Sequence, residues 1–272
     1  MKNLKIAARI IPMMLAVLYL SCIQLQAQGC SDAGVCTIGS MKPGLSNDTG
    51  RSSITFSHTF GLGVQNDDAF TLIQIPQIES KVRFLKKTYV NLKVPFHFTI
   101  GNLGTSSGVG DIAISLSQVI IHDDQKTAII TAGGVLPTNN SDITIEGRSL
   151  PMEYQSSLGS YDLIIGASYF IKKMHFAIGY QHPFNRNNNG FLYDKWPDDN
   201  LNAREYFESN RLKRGDDLVF RAERQFNLAN SVIHAGALAI YRIRGDEIIR
   251  NGESELLEGS SGLTININFS FE

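Results

Sequence analysis

The chain has 272 residues, with 25 Lys and Arg against 26 Asp and Glu, for a formal net charge of -1. Hydrophobic residues make up 43% and charged residues 19%, which is too apolar and too nearly neutral for a disordered chain. No excess positive charge exists to neutralise phosphates, so a globally basic nucleic-acid binder is excluded, and three cysteines exclude a disulfide-dense miniprotein.

From the N-terminus, Lys2, Lys5 and Arg9 come without an acidic residue, then the apolar run Ile10 to Leu20, then the polar stretch SCIQLQAQ. That order is the pattern of a secretory signal peptide, and the apolar run is shorter than the roughly 20 residues a spanning helix needs. Residues 1–27 are expected to be removed after Ala27. Lipidation at Cys22 is an alternative, although Tyr19 stands where an aliphatic residue is expected. In an oxidising compartment Cys30 and Cys36 are expected to close a small loop in an N-terminal periplasmic segment, residues 28–50.

Alternation of period two dominates residues 51–272. Along TYVNLKVPFHFTI, Val90, Leu92, Val94, Phe96, Phe98 and Ile100 alternate with Tyr89, Asn91, Lys93, Pro95, His97 and Thr99. Near the end, Leu263, Ile265, Ile267, Phe269 and Phe271 alternate with Thr264, Asn266, Asn268 and Ser270. Strands are predicted at 53–65, 69–79, 88–101, 109–121, 126–137, 157–171, 174–183, 216–227, 231–243 and 262–271. Several of their connections are very short, such as HDDQ and Lys172–Lys173, whereas 138–156, 184–215 and 244–261 are long and polar. Alternating short and long connections, with strands near the 9–11 residues that cross a bilayer when tilted, predict an all-β, antiparallel, up-and-down transmembrane β-barrel of about ten to twelve strands. Its tight turns and both termini would face the periplasm. The apolar phase would then coat the barrel, while the polar phase would face the lumen. A secreted soluble β-sandwich binding module also alternates, but with shorter strands and no such rule for its connections.

Three phrases follow in order: GVGDIAISLSQ at 108–118, GGVLPTNN at 133–140 and SSLGSYDLIIGASYF at 156–170. This set resembles the Gram-negative outer-membrane barrel family named after the meta-pathway of phenol degradation, itself loosely related to hydrophobic-compound and fatty-acid channels. The resemblance implies a porin-like protein of the cell outer membrane, a passive channel for the uptake of small hydrophobic or aromatic compounds. Its partners would be outer-membrane lipid and lipopolysaccharide, the barrel-assembly machinery and a small-molecule solute, with no nucleic acid and no cofactor. Two departures stand out. Asn139 follows Leu-Pro-Thr where the family commonly has Gly, and Glu272 follows Phe271 where barrels commonly end on the aromatic.

Enzymatic chemistry is not expected. Gly108-x-Gly110-Asp111 lacks the third glycine and the helix of a dinucleotide site, so Asp111 is expected at the pore mouth or in a turn hydrogen bond. Ser57 and His58 are strand neighbours and face opposite sides, so they form no nucleophile–base pair. The six histidines fall at no metal-ligand spacing, with His97 and His175 on the polar phase and His58 and His234 on the apolar one. Asp198, Asp199, Glu205 and Glu208, mixed with Arg204, Arg211 and Arg214, read as a solvated outer loop, or one bridged to lipopolysaccharide by cations. The candidate lumen-lining residues are Asn91, Lys93, His97, Asp111, Ser115, Ser117, Arg221, Glu223, Thr264, Asn266 and Asn268. Mixed charge among them also fits a plugged interior, which leaves a structural or adhesive outer-membrane barrel with partner-binding outer loops as the alternative.

Overall fold

A computed structural model of the chain describes residues 38–42, 52–64, 70–197, 201–228 and 231–271. The expected signal peptide, Cys22, the Cys30–Cys36 pair, Asp198, Asp199 and Glu272 lie outside them. The fold is all-β: eleven strands form one antiparallel sheet curled into a half-barrel, with two small hairpins in its long loops. In chain order the large sheet uses β1 (Ser53–Val64), β2 (Phe70–Leu85), β3 (Thr88–Gly101), β4 (Gly104–Val109), β5 (Ile112–His122) and β6 (Lys126–Leu136). After the hairpin β7 (Thr144–Ile145) and β8 (Arg148–Ser149), it resumes with β9 (Asp162–Ile171), β10 (Met174–Pro183), β11 (Asp217–Asn227) and β12 (Val232–Arg242). The second hairpin, β13 (Glu247–Arg250) and β14 (Glu253–Leu256), precedes the last strand, β15 (Gly262–Phe271). With the loop hairpins set aside and β4 and β5 both lying on β3, each strand pairs with the next along the chain, as an up-and-down meander requires.

The registers place the tight turns 86–87, 123–125 and 172–173 at one end, together with the start of β1 and the end of β15. Every long loop rises from the other end. Three predicted elements differ. β2 runs past residue 79 to Leu85, because β1 and β3 flank it and pair with it almost throughout. Residues 104–108, expected ahead of the strand 109–121, join Val109 as β4 on the upper half of β3, and β5 takes the lower half. The pairing offset changes by one residue between Phe96–Val109 and Lys93–Ala113, which makes Gly110–Asp111 a bulge within one long strand. Residues 157–161 are loop, since Gly159 takes φ +72° and Asp162 opens the ladder.

Polarity is inverted relative to a soluble sandwich. Ile54, Phe56, Leu62, Leu116, Ile130, Ile165, Ile178, Phe220, Ile265 and Phe269 all stand exposed on the convex side, Phe56 at 76%. Ser115, Ser117, Thr131, Ser168, Gln181, Arg221 and Glu223 are buried on the concave side. Residues 38–42, expected ahead of the barrel, are instead packed inside the curl against β5, β6, β9 and β10. They fit there because the concave face offers apolar cover for Ile38 and Met41 beside hydroxyls for the backbone of the segment.

Candidate functional site

The concave face is filled in layers. At mid-height Ile38 and Met41 pack with Ala113, Val135, Ile164, Ala177, Val219, Leu238 and Ile240. Small residues make the space: a Cβ on Gly166 would collide with Met41 Sδ, and one on Gly39, itself at φ +56°, would lie 2.9 Å from Ser117 Oγ. Polar groups fix the same segment. Ser40 Oγ and Thr131 Oγ1 are 2.9 Å apart, Ser168 Oγ donates to the Ser40 carbonyl at 2.8 Å, and Lys42 Nζ donates to Glu79 at 2.6 Å. An internal plug therefore occupies the middle of the half-barrel.

Toward the turns, Tyr89, Val119, Ile129 and Phe170 form a second apolar cluster, and His175 stacks on Phe170 with centroids 4.2 Å apart. Beside it Glu223 lies 3.2 Å from His234 Nδ1 and 3.9 Å from Arg221. Toward the loops the interior is closed by buried ion pairs. Arg242 makes a forked contact with Asp217 at 2.9 and 3.0 Å and reaches Asp246 at 2.8 Å. Arg214 pairs with Asp162, which Ser160 and Gln181 also bond. Each carboxylate has lost water but gained a guanidinium, and Asp162 and Asp246 have neutral donors as well, the condition under which a buried ion is tolerated.

Above this layer the long loops pack into a cap with its own core: Leu103, Leu150, Tyr154, Phe191, Trp196, Ala203 and Tyr206. Tyr206 Oη lies 2.8 Å from Thr71 Oγ1 and 3.1 Å from Tyr154 Oη, and burial pushes its hydroxyl pKa up. Arg186 joins two loops by donating to Glu247 Oε2 at 2.6 Å, to Ser254 Oγ at 2.7 Å and to the Arg211 carbonyl at 3.1 Å. Hydrogen bonding from Ser254 holds the Glu247 carboxyl below its usual 4.5; partial desolvation opposes this, and the Arg186 charge adds to it. A depressed folded pKa means the contribution is present above 4.5 and is lost as pH falls through the folded value. Protection of 244–261, read as hydrogen exchange relative to the intrinsic rate at each pH, is therefore expected to hold above pH 4.5 and to be lost as pH falls through the depressed folded value. Glu247→Gln should remove that acid step.

The structure brings together some of the sequence candidates. Asn91 donates to Ser115 and Ser117 at 3.3 and 3.2 Å, in the patch that meets the plug. Lys93 and His97 share the concave phase of β3, and Arg221 and Glu223 lie together on β11. Thr264, Asn266 and Asn268 occupy the half-buried inner phase of the terminal strand β15, where Asn266 and Asn268 lie level with Arg221 and Glu223 across β12. Asp111 makes the turn bonds: its carboxylate accepts from the Thr138 amide at 3.3 Å and the Leu158 amide at 2.8 Å. Thr138 Oγ1 returns a bond to the Gly110 carbonyl at 2.6 Å. The three phrases singled out in the sequence thus meet in one knot at the base of the cap.

Several expectations are corrected. His234, placed on the apolar phase, faces inward to Glu223, because β12 puts its even-numbered residues on the concave side. Arg214 and Glu208 are buried in the pairs with Asp162 and Arg250 rather than solvated, since the loop folds back over the sheet. The plug and the pairs of Arg242, Asp217 and Asp246 were not anticipated, and neither were the loop hairpins. Asn251-Gly252, at φ +53° and +87°, is a two-residue turn signal that identifies β13–β14 from the sequence. No model of a known protein family matches the chain, and no curated protein matches it.

Proposed function

We propose that the chain is an outer-membrane β-barrel and a passive, non-enzymatic channel for small compounds, held shut at rest by residues 38–42. The single observation that carries the membrane reading is the continuous exposed apolar coat over a polar interior. Monomeric soluble proteins rarely leave so extended an apolar surface uncovered, whereas hydrocarbon provides its natural cover. Strand length agrees: a ten-residue strand such as β9 runs about 33 Å, which at a tilt of roughly 40° crosses about 25 Å. The outer edges of β1 and β15 carry no ladder partner among the described residues. These strands run in opposite directions with their free ends on the turn side, so a bilayer, where unpaired backbone groups are costly, would drive them to pair and close the ring.

The channel reading rests on the character of the plug. It is a short segment held by apolar packing, a few neutral hydrogen bonds and one partly exposed ion pair, so a modest free energy separates seated from displaced states. The resemblance to channels for hydrophobic compounds supports a solute of small apolar or aromatic type. The closed interior and packed cap favour a second reading, a structural or adhesive barrel whose loops bind a partner. Liposome swelling separates the two. Flux of small solutes that rises when the plug is loosened supports the channel, and flux no higher than in empty vesicles, even with the plug removed, leaves the structural barrel.

A further inference from the structure

The turn end of the sheet carries a concentration of cations that the interior does not explain. The β2–β3 turn is Lys86–Lys87, the β9–β10 turn is Lys172–Lys173, and Lys126 opens β6; all are exposed. Arg224 on β11 is exposed as well, on the convex phase otherwise held by Leu218, Phe220 and Phe226. The ladders set Lys126 opposite Ile171, Ile171 opposite Met174 and Met174 opposite Arg224. Lys126, Lys172, Lys173 and Arg224 therefore lie at one level across four neighbouring strands.

The backbone holds this group firmly. The Lys172 amide donates to the Gln125 carbonyl at 2.9 Å and the Gln225 amide to the Lys173 carbonyl at 2.8 Å, tying the turn to both flanking strands. Lys172 sits at φ +54°, a conformation that favours glycine or asparagine over lysine. Two acids, Asp123 and Asp124, stand in the neighbouring turn: Asp123 Oδ1 accepts the Gln125 and Lys126 amides at 3.0 and 2.9 Å, and its Oδ2 lies 3.8 Å from Lys126 Nζ, an exposed pair that leaves Lys172, Lys173 and Arg224 as the main cations of the group. Arg224 lays its guanidinium 5.3 Å from the centroid of the Phe226 ring. A cation on the lipid-facing phase, at the end of an apolar strand, stays charged by reaching a headgroup.

We infer that Lys126, Lys172, Lys173 and Arg224 form a binding site for the phosphate of an anionic phospholipid in the leaflet facing the turns. The inference rests on the membrane reading. Lysines supply point charges and Arg224 a forked donor from the hydrocarbon side, a set that complements a phosphodiester at the interface.

The test uses the full mature chain folded into phosphatidylcholine vesicles with and without phosphatidylglycerol, reading the temperature at which the folded form is lost. Phosphatidylglycerol is expected to raise that temperature, and high salt to cancel the rise. Lys172→Gln, Lys173→Gln and Arg224→Gln combined should keep the wild-type value in pure phosphatidylcholine but lose the increment. Apparent affinity should fall about fivefold for each cation removed. An equal phosphatidylglycerol response in wild type and variant overturns the site. A comparable rise from inorganic phosphate overturns the lipid assignment. Failure of the wild type to enter either vesicle overturns the membrane reading, and the inference falls with it.

Discussion

Met41→Ala is expected to raise solute flux through reconstituted protein without unfolding the sheet, and deletion of residues 28–42 to raise it further. Met41 is 3% exposed and is packed within the apolar layer of Ile164, Ala177, Val219 and Leu238. Truncating a buried Met costs about 2–3 kcal/mol, which in a seated–displaced equilibrium shifts the ratio by roughly 30- to 150-fold. The cost falls on the seated state alone, because displaced Met41 has no such packing to lose. Gly166→Val should act from the other side, filling the space that Met41 Sδ occupies. A swelling assay on matched vesicles reads all three variants. Flux that stays at wild-type level in all three would show that the segment does not gate passage.

The largest loss of stability is expected from Arg242→Met. Its guanidinium joins Asp217 and Asp246 at 2.8 to 3.0 Å, with the three side chains at 7%, 1% and 4% exposure. Removing the cation leaves two buried carboxylates without their charge partner, at a cost of about 3–5 kcal/mol. Asp246 also accepts the Gly215 amide at 2.8 Å and donates its own amide to Ser260 Oγ at 2.7 Å, so the damage should spread through both loops of the cap. Combining Arg242→Met with Asp217→Asn and Asp246→Asn should recover much of the loss, since no uncompensated charge remains. Thermal loss of the folded form measures both. A single variant as stable as wild type would mean that the cap does not depend on this layer.

Much of the sheet was legible in the sequence because its strands are long and strictly alternating. Lys126 to Leu136 and Met174 to Pro183, for example, fall within a residue of the predicted limits. Period two also assigned the inward phase of β3, β5, β11 and β15, since one face is apolar and the other polar along most of each strand. It failed on β12, where both phases are largely apolar: His234 reads on an apolar phase, yet the even-numbered phase that carries it is the inward one and sets it beside Glu223. β4 was missed because Thr105, Ser106 and Ser107 carry no alternation, and its pairing depends on the free upper edge of β3. The plug was not legible at all. Ile38-Gly39-Ser40-Met41 has no periodicity, and its place is set by contacts with residues some 70 to 130 positions away, such as Thr131 and Ser168. The same holds for Asp162 with Arg214, whose separation of 52 positions leaves no local pattern.

Heat-modifiable gel migration of the mature chain folded into phospholipid vesicles and recovered by flotation tests the account most directly. A closed membrane barrel resists unfolding by detergent at room temperature, so the unboiled sample should float with the vesicles and run ahead of the boiled one. Identical migration of the two samples, with the protein left in the aqueous fraction, would contradict the barrel and return the sheet to a soluble fold.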